Sequence, residues 1–265
     1  MIKFSKILVA VALVALAAGS ALALGTPNSA VVIPRVFNDS PFSILTVTNN
    51  YPTGICFTDA VVQPAGWANL HVWRLSQDGL TPMPLANNDG FAFGASVRIS
   101  GAGDGEAGVQ VSPWWSLNVD GRFNIRTPDG EVAVFGGRLP FYSFTGSHGK
   151  SYVAGTWVRL SMIYRTNVDM NEAHPATIEY IYDDGSPVSS GELAFDMGNP
   201  GEDPPHGLWG ILNPAHVGGY VQFNNMMNSS GLTLVGSWAN VQVDDLGTVV
   251  PAESASWGDV KSLFR

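Results

Sequence analysis

The sequence predicts an all-β protein built as two packed antiparallel sheets. Three observations carry that expectation. Short alternating or β-branched runs recur along the chain, each closed by Gly, Pro, Asn or Asp. Asp-Gly turns stand between such runs at 127–131 (TPDGE), 183–186 (DDGS) and 119–123 (VDGRF), a strong hairpin signal. Helical periodicity is nearly absent after the first two dozen residues. About fourteen strands without intervening helices require two layers to bury their apolar faces.

The chain of 265 residues opens on a targeting pattern. Lys3 and Lys6 supply a positive start, Ile7 to Ala18 form an apolar run, and Ala21-Leu22-Ala23 is a small-x-small cleavage site. The apolar run is shorter than the roughly 20 residues of a membrane span. Residues 1–23 are therefore read as a signal peptide, residues 24–246 as the sandwich, and 247–265 as a linker with a short tail. The expected location is secreted or cell-surface, with no membrane span.

Strands are expected at 30–37, 43–49, 55–62, 68–75, 91–99, 107–112 and 122–127. Further ones are expected at 131–136, 157–166, 176–183, 192–196, 207–212, 218–223 and 232–244. In TWVRLSMIYR, Val158, Leu160, Met162 and Tyr164 form a uniformly apolar face, so that face should enter the core. Ile178, Tyr180 and Tyr182 repeat the pattern in the next strand. The polar, Pro-rich stretch 76–90 reads as a long loop within one domain.

Charge excludes one class of partner. Cleavage would remove Lys3 and Lys6 from 13 basic residues and no acid, leaving 11 against 22 acidic residues. Such a surface repels nucleic acid and anionic membranes. Cys56 is the only cysteine, so neither an intramolecular disulfide nor a cysteine metal site is possible. It reads as a small buried apolar residue.

Three stretches resemble the concanavalin A-like lectin/glucanase superfamily, and within it the laminin-G-like jelly rolls. GFAFGASVRISGAGDGEAGVQV at 90–111 resembles an outer strand pair with a Gly-rich turn. GTWVRLSMIYR with ATIEYIYDDG resembles a pair of long strands ending in a ligand-side turn. SWANVQVDDL at 237–246 is similar to a closing strand that returns beside the first. The resemblance implies a jelly-roll sandwich and a bias toward carbohydrate binding. The superfamily's Glu-x-Asp-x-x-Glu catalytic strand is absent here.

Two groups of residues offer chemistry. The loop FDMGNPGEDPPHGLWG, 195–210, gathers Asp196, Glu202, Asp203 and His206. Hard carboxylate oxygens on an irregular loop suit Ca²⁺, with Asp196, Glu202 and Asp203 as ligands. The same carboxylates with His206 suit acid–base chemistry, and a rigid acidic surface loop has the same composition. Oxygen donors also cluster at Asp183 and Asp184, and at Asp244 and Asp245.

The second group is aromatic. Trp114, Trp115, Phe141, Tyr142, Phe144, Trp209 and Tyr220 lie in or beside Gly- and Pro-rich segments, with Arg138 nearby, and indole or phenol rings stack on sugar C–H faces. On a strand, Trp114 and Trp115 point to opposite faces, so one ring faces the core and the other a ligand or a covering loop. The five histidines are too scattered to form a metal cluster and read as loop or surface residues. In the tail, Trp257, Val260, Leu263 and Phe264 have short amphipathic-helix spacing, suited to docking on the sandwich or to a sorting or envelope partner.

These features support a secreted, non-catalytic binder of carbohydrate or another extracellular ligand. A glycan-cleaving hydrolase or lyase on the same fold and a structural cell-envelope component are the alternatives.

Overall fold

The structure, a computed structural model, describes residues 25–62, 66–112, 121–136, 139–196, 209–211, 214–224 and 231–248. Residues 1–23, expected to be a signal peptide, lie outside the described residues, as does the expected linker and tail 247–265 except for its first two residues, which end β14. The strands are β1 (Ser29–Asn38), β2 (Ile44–Asn50), β3 (Gly54–Ala60), β4 (Ala68–Ser76), β5 (Asp89–Gly101), β6 (Gly105–Ser112) and β7 (Arg122–Arg126). They continue as β8 (Val132–Phe135), β9 (Tyr142–Ser143), β10 (Val158–Arg165), β11 (Thr177–Asp183), β12 (Val188–Ala194), β13 (His216–Asn224) and β14 (Thr233–Thr248). One short helix, α1 (Phe144–His148), follows β9.

Sheet I has the order β1-β4-β13-β6-β7-β8-β9, and sheet II the order β12-β11-β10-β5-β14-β3-β2. All pairings are antiparallel. This is the two-sheet antiparallel sandwich that the jelly-roll resemblance implies. Asp-Gly turns join β7 to β8 and β11 to β12, with Gly130 and Gly185 at φ 71° and 102°. Those left-handed angles explain the glycines.

The core lies between the sheets. Val158, Leu160, Met162 and Tyr164 are buried, as the alternation predicts, and pair in register with β11, whose Ile178, Tyr180 and Tyr182 are also buried. Trp73 and Trp238 meet edge to face at 6.1 Å, and Phe93 packs against Trp73. The Trp238 indole donates to the Gly108 carbonyl at 2.9 Å, tying β14 of sheet II to β6 of sheet I.

Several expectations are corrected. No strand forms at 209–211: Trp209 is left-handed (φ 55°), and a side chain at Gly210 would overlap the Tyr164 hydroxyl and Asn87. β14 does not return beside the first strand but lies between β5 and β3. Cys56 is half-buried on the outer face of sheet II, because Ile55 and Phe57 take the inward positions. It accepts from the Ser237 hydroxyl at 3.6 Å.

Candidate functional site on the outer face of sheet I

Alternation along β4 sends Trp73 and Leu75 into the sandwich and Leu70, Val72 and Arg74 to the outside of sheet I. The same parity puts His216, Gly218, Tyr220 and Gln222 of β13 outside, with Glu106, Gly108 and Gln110 of β6 and Arg122, Asn124 and Arg126 of β7. Register aligns them into rows. One row reads Arg74, Gly218, Gln110, Arg122, the next Val72, Tyr220, Gly108, Asn124, and the third Leu70, Gln222, Glu106, Arg126.

Gly218 and Gly108 make this arrangement possible. A Cβ at either position would run into the carbonyl of the adjacent strand, Trp73 for Gly218 and Phe123 for Gly108. Without side chains there, Arg122 reaches across β6 and lays its guanidinium 4.7 Å from the centre of the Tyr220 ring. Its NH1 donates to Glu106 at 2.7 Å and to Gln222 at 3.2 Å, while Asn124 donates to the other Glu106 oxygen at 3.4 Å.

The outer face of a two-layer sandwich is ordinarily wet, yet these residues are shielded from solvent. Arg74, Gln110, Asn124 and Tyr220 are 0% exposed and His216 6%. Among the described residues, Ile33 and Val36 pack against Leu70, Val72 and Tyr220. On this face, among the described residues, three buried polar atoms make no well-formed hydrogen bond: His216 Nδ1, Asn124 Oδ1 and the Tyr220 hydroxyl, which has the Glu106 carboxylate within reach. Buried polar groups are nearly always satisfied, so three on one face mark a site with work to do.

The electrostatics follow from this burial. Desolvation, and then the Arg122 charge, lower the Arg74 guanidinium to about 9. It stays cationic at neutral pH. Desolvation, and then Arg74, push His216 down to about 4, so its imidazole is neutral. Burial raises the Tyr220 phenol well above its ordinary range, and the nearby Glu106 carboxylate adds to that rise. The face therefore presents guanidinium charge, a neutral imidazole and a protonated phenol.

Of the residues singled out from sequence, Tyr220 lies on this face and the others are described only in part. Trp114, Trp115, Arg138, Glu202 and Asp203 lie outside the described residues. Tyr142 pairs with Val134, turns its ring into the sandwich against Phe144, and its hydroxyl meets His148 Nε2 at 2.9 Å. The Trp209 carbonyl accepts from the Ala176 N–H at 2.8 Å. Asp196 is exposed just after Phe195, whose N–H donates to the Ala176 carbonyl. Among the described residues no group of three or more His, Cys, Asp or Glu is arranged to hold a metal.

Two histidines read as surface residues prove buried. His71 points inward from β4. The Arg35 N–H donates to its Nδ1 at 2.9 Å, so the ring proton sits on Nε2 and is donated to Asp59 at 3.1 Å. His216 belongs to the outer face of sheet I. The available signal was parity: His71 shares the phase of Trp73, and His216 that of Tyr220.

No protein-family model matches the chain, and no curated protein matches it. Among solved structures it is similar to the alginate lyase from Klebsiella pneumoniae, at 9% identity and a TM-score of 0.45, over 76% of this chain and 84% of that one. It is also similar to lectin II from Ulex europaeus, at 12% identity and a TM-score of 0.43, over 83% and 95% of the two chains. A third is the marine alginate lyase from Aplysia kurodai, at 10% identity and a TM-score of 0.42, over 81% and 90%. Similarity of this degree assigns neither a ligand nor a residue, and the two-sheet sandwich stands on the strand pairing of the chain itself.

Proposed function

We propose that the protein binds an acidic polysaccharide, one whose sugar rings carry carboxylates, on the outer face of sheet I. The observation that carries this reading is the set of unsatisfied buried groups, Tyr220 hydroxyl, His216 Nδ1 and Asn124 Oδ1, beside Arg74 and Arg122. Arg122 already shares its charge with Glu106, and Arg74 adds a second guanidinium in the same desolvated place, so the face is one where a ligand carboxylate meets positive charge. The phenol and imidazole then meet ring hydroxyls. Low local dielectric strengthens each of these contacts.

Calorimetry against a polyuronate and a neutral glucan tests this. Binding of the polyuronate, weakened at least tenfold in Arg122→Met, supports it. No heat with the polyuronate, on folded protein, refutes it.

A second reading has its own observation, a neutral imidazole with an open nitrogen on the same face as a protonated phenol, four residues apart along β13 with Gly218 between them. In a uronate, a guanidinium on the carboxylate acidifies the C5 proton. His216 Nδ1 takes that proton, the C4–O bond breaks, a C4–C5 double bond forms, and Tyr220 protonates the departing oxygen. Ultraviolet absorbance from an unsaturated uronate product tests this step. Its absence leaves the protein a binder.

A further inference from the structure

Sheet II carries a groove of about 240 Å³ on its own outer face, lying on the opposite side of the sandwich from the polar face of sheet I. Its floor is the row Ile181, Ser161, Gly94, Gln242, with Ile163, Ala92 and Asp244 in the next row. Small side chains at Ser161, Gly94 and Ala92 sink the middle of the sheet between taller neighbours. A Cβ at Gly94 would stand 2.6 Å from the Ser161 hydroxyl and 3.0 Å from the Arg159 guanidinium.

The rim is ordered before any ligand arrives. Arg159 donates to the Asn240 carbonyl at 3.1 Å and to the Gln242 oxygen at 3.3 Å, and the Gln242 amide donates to Asp244 at 2.9 Å. Along β10, Trp157 stands two residues from Arg159 on the same face, 43% exposed, with the Arg98 guanidinium 4.6 Å from its ring centre. From Trp157 to Ile163 the strand runs about 20 Å, enough for several sugar rings.

We infer that this groove is a second binding site, separate from the face of sheet I, and that its ligand is an uncharged oligosaccharide segment. Arg159 and Asp244 put a donor and an acceptor on one rim, which suits hydroxyls that both give and take a hydrogen bond. On that rim Asp244 offsets Arg159, and on the neighbouring strand Arg165 pairs with Glu179 at 3.0 Å, so the groove lacks the excess positive charge of the sheet I face. A peptide strand has nothing to pair with, since backbone groups in the middle of a sheet are used in its ladder. Ile163 and Ile181 give the apolar sugar face its contact, and Trp157 lengthens that contact at one end.

The test uses the mature protein and three probes: neutral hexasaccharides of β-1,4-glucan, β-1,3-glucan and β-1,4-mannan. Calorimetry should show binding of at least one. Asp244→Ala, at an exposed position, and Ser161→Tyr, which fills the groove, should each weaken it at least tenfold with the melting temperature of Asp244→Ala unchanged. Affinity should be the same when a polyuronate is present at saturation. No binding of any of the three probes by folded protein overturns the inference, as does affinity unaltered in Asp244→Ala. Failure of polyuronate binding, by contrast, touches only the sheet I reading.

Discussion

Tyr220→Phe separates a functional hydroxyl from a structural one. The Tyr220 side chain is fully buried on the sheet I face, its ring lies under Arg122, and its hydroxyl makes no well-formed hydrogen bond, with the Glu106 carboxylate within reach. A buried polar group left unsatisfied costs about 1–3 kcal/mol. Removing only the oxygen keeps the ring and the cation–π contact, so the variant should be more stable, by about 1 kcal/mol. For a domain of this size that raises the melting temperature by about 2–4 °C. The same change removes the group offered to the ligand. A hydrogen bond to a neutral ring hydroxyl is worth about 0.5–1.5 kcal/mol, so polyuronate affinity should fall roughly two- to tenfold. Urea denaturation gives the first quantity and calorimetry the second. Stability lower by about 1 kcal/mol would mean that the hydroxyl has a protein partner. Unchanged affinity would mean that it meets no ligand. Either result refutes the reasoning.

Three further predictions follow from named contacts. His216 titrates near 4 when folded against 6.5 ordinarily, so the unfolded chain takes up the proton first. Stability is therefore full above about pH 6.5 and falls as pH drops toward 4, by up to roughly 3 kcal/mol, and His216→Gln should flatten that slope in urea titrations across pH. Burial raises the Asp59 carboxyl, but hydrogen bonding led by His71 outweighs it and holds the group below its ordinary value. Asp59→Asn should cost about 1–3 kcal/mol in urea denaturation, since a neutral amide oxygen accepts more weakly from His71 and Asn69, which both donate to one oxygen, and its NH2 is left buried without a partner. Gly219→Ala places a methyl into the indole nitrogens of Trp73 and Trp238 and should destabilise by about 1–3 kcal/mol, with altered tryptophan fluorescence as a second measure.

The primary sequence by itself determined the layers. Period-two alternation in 158–165 and 177–183 assigns each side chain to a face, and Asp-Gly turns at left-handed angles reverse the chain between strands. That information is local, and local sterics suffice to express it. The sheet I face was not legible in the same way. β4 is buried on both sides and β13 nearly so, so the alternation that marks a half-wet strand is weakened. Arg74, Gln110, Arg122 and His216 lie far apart in the chain and meet only because β13 inserts between β4 and β6. Composition drew attention to the aromatic and acidic loops, since such loops stand out in one dimension. Strand order and register decided which polar side chains stand side by side, and the desolvation that neutralises His216 exists only once those strands have packed.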